Sequence, residues 1–413
     1  DRGGNGPDRL EKVLDLERAA QAAPPVIPVF FAVYGGLIVA TLLGGLWAAA
    51  RLHGPDRRRE RTLRALRWWT TSLAAVPVSL FLIGLAPWWR AGTPGLVLAA
   101  GVAGLAVTVT ALAALGPWRA APFGPLGAVG AVTMLVLAAD VLTGARLELL
   151  GLMGQHPLIG GRFYGFGNQG FAVFATGALL AALAGADALR RRGRIRWAVG
   201  LVAAVGTAAA VLDGTPGWGS DFGGPVALII GFTVFGFRVA GARITRWRAV
   251  ATGAVAVAAL VGLSLFDWSR PARNRTHLGR FVQSLIDGGA GPILGRKLGT
   301  NLDMLLGPLG LLAAAAAVVV VAALAAPARF RLGSVAEAYR RFPLLRPGLA
   351  AAGLIALIGF LGNDSGVGIP VAVSMLVLPL TLVAALRAQE LADADRAAAA
   401  VRAARRAAKP RTR

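Results

Sequence analysis

Long apolar runs separated by short polar segments recur along nearly the whole chain. Each run has about 18 or more residues, enough for one helix to cross the roughly 30 Å hydrocarbon core of a membrane. The pattern therefore predicts an all-α fold, a polytopic integral membrane bundle of about eleven transmembrane helices. The predicted spans are 27–50, 70–88, 94–116, 124–143, 167–188, 196–212, 222–240, 248–266, 304–326, 347–362 and 366–386.

The composition agrees with this pattern. Apolar residues make up 56% of the chain and charged residues 15%, and the mean hydropathy is +0.64. These values lie well outside the usual range of a soluble domain. The chain has no cysteine, which excludes disulfides, thiolate chemistry and C-x-x-C zinc sites.

The arginines are concentrated in alternate connections between the spans. A net charge of +23 would suggest nucleic acid in a soluble protein, but this alternation is an orientation signal, so no nucleic-acid partner is expected. The positive-inside rule predicts that these connections are cytoplasmic, with the N-terminus outside and the C-terminus in the cytoplasm. The arginine-rich segments are 51–67, 190–196, 238–248, 328–341 and the tail.

Three parts of the chain follow from this topology. Residues 1–24 are predicted to be an extracytoplasmic connector helix, 25–387 the transmembrane bundle, and 388–413 a basic cytoplasmic tail. Because the chain starts with Asp1 and its N-terminus is predicted to lie outside, we expect that an exported segment precedes it.

The outer connections 144–167, 213–222 and 267–303 and the short turn 362–366 combine glycines, aromatics, amides and charges. Arginine binds phosphate or carboxylate in bidentate geometry and lysine acts as a point charge, so an anion site is predicted here. Attraction of the arginines to anionic lipid headgroups is the alternative. The candidate substrate-binding residues are Arg162, Tyr164, Asn168, Asp213, Asp221, Arg273, Arg275, His277, Arg280, Arg296, Lys297, Asn363 and Asp364.

The acids of these connections have structural as well as functional interpretations. Asp221 is placed to cap the seventh span. Asp140 and Asp213 stand at the ends of apolar spans, where ionisable groups face the bundle interior and pair with a base or line a polar cavity. Arg146 and Arg162 are the candidate bases.

The histidines and one amphipathic segment complete the candidate chemistry. His156 and His277 lack metal-ligand spacing, so neither a metal nor another cofactor is predicted. The segment RTHLGRFVQSLIDGG (275–289) has Leu278, Phe281, Val282 and Leu285 on one helical face. This spacing predicts an interfacial helix on the outer surface or over the mouth of the bundle.

The stretch GFGNQG (165–170) matches the spelling of a dinucleotide-binding turn, and Asp187 follows at a suitable distance. Such a turn needs a preceding strand and a βαβ unit, whereas this one opens an apolar helix. Asp187 would lie about 25 Å along that helix, on the other side of the membrane. The pattern therefore predicts an anion at a helix start and no nucleotide site.

Four motifs occur in a fixed order: GGRFYGFGNQGFAVF, DGTPGWGSDFGG, THLGRFVQSLIDGGAGPILGRKLGTNLDML and GNDSGVGIP. Together, over about residues 8–386, they resemble the membrane portion of a poorly characterised bacterial family. Its actinobacterial and Firmicute members carry an extracytoplasmic alkaline-phosphatase-like domain before the membrane spans.

The resemblance implies a multi-pass protein of the bacterial plasma membrane with such a domain as partner. Family members often have Gly-Asn-Glu where this chain has Gly167, Asn168 and Gln169. The missing carboxylate weakens a catalytic role at that position. The metal-binding nucleophile motif of the phosphatase-like domain is absent from these residues, so the resemblance does not make them a phosphatase.

Four functional hypotheses remain, and the sequence leaves open whether the chain is an enzyme. The first is a membrane module that binds an anionic, phosphate-bearing or lipid-linked envelope substrate for an adjoining phosphatase-like enzyme or for transport. The second is a transferase or ligase on lipid-linked sugars with Asp213 or Asp221 as general base, although the outer loop PWWRAGTPG lacks the acid common in polyprenyl-sugar glycosyltransferases. The others are a secondary transporter using Asp140 and Asp213, and a membrane anchor without its own chemistry.

Overall fold

The computed structural model describes residues 6–51, 57–155, 164–363 and 366–407. Throughout these residues the chain forms α-helices joined by turns and short 3-10 segments, without a strand, so the all-α prediction is confirmed. The helices are α1 (Gly6–Arg51), α2 (Arg57–Leu82), α3 (Pro94–Leu115), α4 (Gly124–Leu142), α5 (Arg146–Leu150), α6 (Asn168–Arg191), α7 (Ile195–Gly214), α8 (Gly224–Val239), α9 (Arg246–Ser269), α10 (His277–Ile286), α11 (Ala290–Leu306), α12 (Pro308–Ala325), α13 (Gly333–Arg341), α14 (Leu345–Gly362) and α15 (Gly368–Ala407).

Each predicted apolar span corresponds mainly to one helix, although the span 304–326 begins in the last residues of α11 and the span 70–88 runs past the end of α2. In the described part of the chain, ten helices are long and apolar enough to cross a membrane. The eleventh predicted span is α8, which has 16 residues and is therefore about 24 Å long. It is shorter than a typical hydrocarbon core because the glycine-rich turn before it delays its start until Gly224.

The first and last helices extend beyond their apolar runs. The predicted connector helix is continuous with the first span in α1, although Pro24, Pro25 and Pro28 lie inside it. Likewise, α15 continues from the last span into the basic tail. The boundaries predicted near residues 24 and 387 thus fall within continuous helices.

The core of the bundle depends on close contact between small residues. Helices α6 and α15 are the most buried of the long helices, and α4 packs along α6. A Cβ added at Gly130 would lie 2.7 Å from the carbonyl oxygen of Gly177 and 2.7 Å from Cβ of Leu180. Small residues at such positions let two helix backbones approach closely, as predicted from the composition of the spans.

Several outer helices leave apolar side chains uncovered. Only 6% of the apolar window of α12 and 17% of that of α9 is buried. Leu309 on α12 is 82% exposed. Contiguous apolar surface of this kind is rare on soluble monomers and is typical of helices that face lipid.

The connections contact one another in the two groups that the arginine pattern separates. In one group, which we call the arginine end, Arg59 of α2 pairs with Asp393 of α15 at 2.6 Å, and Arg341 of α13 pairs with Asp395 at 2.7 Å. The other group, the loop end, consists of the described residues of the connections 144–167, 213–222 and 267–303 and of the turn 362–366. The assignment of the two ends to the two sides of a membrane stays a prediction.

The α4–α6 contact gives a prediction on stability. Gly130→Ala should lower the free energy of unfolding by about 1–3 kcal/mol, because the new methyl group overpacks against α6. Gly104→Ala on α3 is the matched control, since a Cβ there would meet nothing within 4 Å, and the better helix propensity of alanine should leave stability equal or higher. Thermal unfolding of both purified variants in detergent measures the change in stability. Equal changes in the two variants would contradict the proposed packing of α4 on α6.

Candidate functional site at the loop end

The turn between α7 and α8 lies at the centre of the loop end. The backbone N–H of Phe166, from the connection before α6, donates to the carbonyl oxygen of Gly219 at 3.1 Å. The ring of Phe222 packs edge-on against Phe281 of α10, with the ring centroids 5.5 Å apart. The turn therefore contacts both of the long outer connections.

The fourth segment, the turn after α14, joins the same group. The side-chain amide of Asn363 lies 3.5 Å from Oδ2 of Asp221. Asn301 of α11 donates from Nδ2 to the carbonyl oxygen of Asn363 at 2.8 Å, and its Oδ1 accepts from the N–H of Gly366 at 3.0 Å. All four outer motifs thus converge at one end of the bundle.

Asp221 caps α8. Its Oδ1 accepts from the N–H of Phe222 at 2.8 Å, and its Oδ2 accepts from the N–H of Gly224 at 3.0 Å. The predicted capping role is confirmed, although Gly223 occupies the N-cap position itself. The carboxylate thereby satisfies one of the N–H groups that a helix start leaves without an intrahelical acceptor.

Asp213 lies beside Asp221 and is fully buried. A Cβ added at Gly224 would overlap Oδ2 of Asp213 and lie 2.6 Å from Oδ2 of Asp221. Both carboxylates therefore reach the first residue of α8, where the positive end of the helix dipole offsets their mutual repulsion. The prediction that Asp213 faces the bundle interior is confirmed by its burial.

The start of α6 already holds an anion, and that anion is Glu148. This residue lies on α5 and is buried; its Oε2 accepts from the N–H of Gly167 at 3.1 Å. A Cβ at Gly170 would overlap its Oε1. A negative charge thus lies at the start of α6, as predicted for GFGNQG, but it belongs to the protein's own Glu148. Asn168, the first residue of α6, is half-buried.

Asp140 orients the segment that carries Glu148. Its carboxylate accepts from the backbone N–H groups of Leu147 at 2.8 Å and Glu148 at 3.1 Å. The predicted inward orientation of Asp140 is confirmed. Its predicted ion pair with Arg146 is wrong within the described residues, because the backbone at the start of α5 supplies the donors instead.

Asp267 has the same role in the third connection, and this role was not predicted, since the only signal in the sequence is its place directly after the predicted span 248–266. It is fully buried. Its Oδ2 accepts from the N–H of Thr276 at 2.9 Å, the hydroxyl of Thr276 at 2.7 Å and the N–H of Gly279 at 2.7 Å. Its Oδ1 accepts from Nη1 of Arg270 at 3.0 Å. One carboxylate thus holds the start of α10.

The candidate arginines of this connection divide into two kinds. Arg275 is half-buried, with its guanidinium 5.4 Å from the ring centroid of Trp268 and its Nη1 donating to Gln283 at 3.1 Å. It therefore supports the fold of the segment. Arg273, Arg280 and Arg296 are exposed, although Arg280 also donates to the carbonyl oxygen of Arg275 at 3.2 Å.

The amphipathic segment is a helix, as predicted. Its apolar face is divided, because Leu278 is fully buried whereas Leu285 is exposed. His277 is the first residue of this helix and is half-buried. The helix therefore packs on the bundle at its start and turns apolar side chains outward at its end.

Some predicted site residues cannot be placed. Arg162, Asp364 and His156 lie outside the described residues, as does the side chain of Lys297. Tyr164 is described and half-buried. In the part of the chain that the structure describes, no group of three or more histidines and carboxylates has the arrangement of a metal site.

The dinucleotide interpretation is excluded by the geometry. Residues 168–170 open α6, without a strand in the described residues before or after them. Asp187 lies near the opposite end of α6, where it pairs with Arg191 at 2.7 Å. A carboxylate there cannot reach a ligand at the start of the same helix.

The role of Asp267 gives a second prediction. Asp267→Asn should lower the free energy of unfolding by about 2 kcal/mol or more, because a buried acceptor of several hydrogen bonds loses its charge. The amides of Thr276 and Gly279 should exchange faster with solvent, as hydrogen-exchange mass spectrometry can measure. Asp303→Asn is the control, since Asp303 is exposed on α11; equal exchange in both variants would contradict the role.

No family model, curated protein or solved structure matches the chain. The likeness of the four motifs to the phosphatase-linked bacterial family therefore stays a prediction from the sequence. The site is defined by its own geometry: four connections in mutual contact, buried carboxylates at helix starts and arginines exposed around them.

Proposed function

We propose that this chain is a multi-pass bacterial plasma-membrane protein whose loop end binds an anionic, phosphate-bearing ligand. The ten long apolar helices support the membrane location. The proposal rests mainly on the convergence of the four outer motifs, which places the exposed arginines at one end of the bundle. Guanidinium groups in such a cluster suit the oxygens of a phosphate.

The arginines stay available because the acids beside them are already engaged. Asp221 and Asp267 accept hydrogen bonds from backbone N–H groups, and Asp267 pairs with Arg270. In the described part of the chain neither acid forms an ion pair with Arg273 or Arg280, so these guanidinium groups remain available to an anion. This supports ligand binding over a purely structural role for the exposed arginines.

A lipid-linked ligand fits the surroundings of the site. The arginine-bearing connection lies between α9 and α12, whose apolar windows are only 17% and 6% buried. A phosphate on a lipid chain would reach the arginines from the bilayer while its chain stayed beside these helices. A lipid-linked envelope precursor would therefore contact the arginines with its phosphate and the apolar helices with its lipid chain.

The position of α1 supports transfer to an adjoining enzyme. Asp15, near the start of α1, accepts from Nε of Arg90 at 2.6 Å and from Trp89 at 3.0 Å. This contact brings the start of α1 to the turn before α3, which is predicted to lie on the outer side. A phosphatase-like domain joined ahead of α1 would therefore stand beside the loop end.

The proposal predicts the effect of removing the exposed arginines. The triple variant Arg273→Ala, Arg280→Ala, Arg296→Ala in nanodiscs of neutral lipid should bind undecaprenyl phosphate at least about tenfold more weakly than the unchanged chain, since charged hydrogen bonds are lost. The control is Arg192→Ala, Arg194→Ala, Arg196→Ala, which removes the same charge from exposed positions at the arginine end. Equal binding by both variants, or absence of binding by the unchanged chain, would favour the anchor alternative.

A second function, transfer of a sugar from a lipid-linked donor, is favoured by one observation. Asp213 is a fully buried carboxylate at the centre of the converging segments, where a general base would be shielded from water. Asp213→Asn should then abolish product formation by purified protein supplied with an undecaprenyl-linked sugar donor, while binding of undecaprenyl phosphate persists. Asp303→Asn is the matched control, and unchanged turnover in Asp213→Asn would rule out this role.

A further inference from the structure

A second candidate ligand site lies at the arginine end and shares no residue with the loop end. A partly open cavity of about 260 Å³ lies between the end of α1, the start of α2, the start of α13 and the tail of α15. Its lining combines apolar residues with polar ones. The apolar residues are Leu46, Ala49, Ala50 and Leu332, and the polar residues, which we call the polar wall, are Arg59, Arg331, Ser334, Gln389 and Arg396.

The polar wall is positively charged. Arg59 is only 6% exposed and pairs with Asp393 at 2.6 Å. Arg396 pairs with the same carboxylate, so Asp393 faces two guanidinium groups. Arg331 is exposed and forms no ion pair within the described ranges of the chain. Arg59 and Arg396 therefore share one carboxylate, and Arg331 adds a third positive charge beside the cavity, which favours an anion.

Neutral hydrogen-bond donors beside the cavity also favour an anion. Ser334 is only 7% exposed and lines the cavity, yet its hydroxyl has no hydrogen-bond partner in the described part of the chain. It belongs to the first turn of α13, whose N-cap residue Leu332 provides no side-chain cap. The first N–H groups of a helix have no intrahelical acceptor and carry the positive end of the dipole, so they attract anions.

We propose that this cavity binds the phosphate group of a phosphate ester. Arg331 and Arg396 would contact the phosphate oxygens, and Ser334 with the start of α13 would donate to them. Leu46, Ala49 and Ala50, in the last turns of α1, offer an apolar surface for the carbon chain next to the phosphate. A phospholipid headgroup and a soluble phosphate ester share this chemistry, and the site is independent of ligand binding at the loop end.

Thermal unfolding of the full chain in detergent tests the proposal. Glycerol 3-phosphate and dioctanoyl phosphatidic acid are titrated separately, with dioctanoylglycerol as the probe that lacks phosphate. We expect saturable stabilisation by at least one phosphate probe and none by dioctanoylglycerol. Stabilisation by the lipid alone assigns a headgroup site, whereas stabilisation by both assigns a site for phosphate esters in general.

Arg331→Gln should weaken this binding at least about tenfold, because it removes a charged donor. Arg329→Gln, a matched charge change at an exposed position of the same loop, should leave binding unchanged. Ser334→Ala provides a second variant should Arg331→Gln fail to fold. The proposal is overturned if neither phosphate probe stabilises the chain saturably, or if Arg329→Gln weakens binding as much as Arg331→Gln.

Discussion

Buried carboxylates that accept hydrogen bonds from helix starts determine the architecture of the loop end. The N–H groups of a first helical turn have no acceptor within the helix, and leaving them unpaired in an apolar setting is costly. Glu148 at α6, Asp221 at α8 and Asp267 at α10 each supply an acceptor. None of these acids belongs to the helix whose start it binds, so each hydrogen bond also fixes a connection against the bundle.

This arrangement leaves several arginines of the loop end exposed. The acids of the loop end accept from backbone donors, and Asp267 pairs with Arg270 alone among the arginines of its connection. The remaining exposed arginines keep their charge. The exposure of these arginines is therefore a consequence of how the loop end folds as well as of how many arginines the loop end contains.

The two ends of the bundle use charge differently. At the arginine end, acids of α15 pair with arginines of neighbouring helices, as Asp393 does with Arg59 and Asp395 with Arg341. These ion pairs join α2, α13 and α15 around a cavity. At the loop end, by contrast, the carboxylates of Asp221 and Asp267 bind mainly backbone N–H groups. Exposed guanidinium groups occur at both ends, and at the arginine end some of them line a cavity.

The sequence by itself determined the helices, because the length of an apolar run and the residues at its ends are local properties. It also indicated the grouping of the connections, since arginines alternate along the chain. It could not determine which acid meets which helix start. Glu148 reaches Gly167, and Asn301 reaches Asn363, across separations at which sequence patterns carry no information about contact. Only the packing of α4 on α6 and of α14 beside α8 brings these residues together, so the tertiary structure alone decided that the anion at the start of α6 is the protein's own.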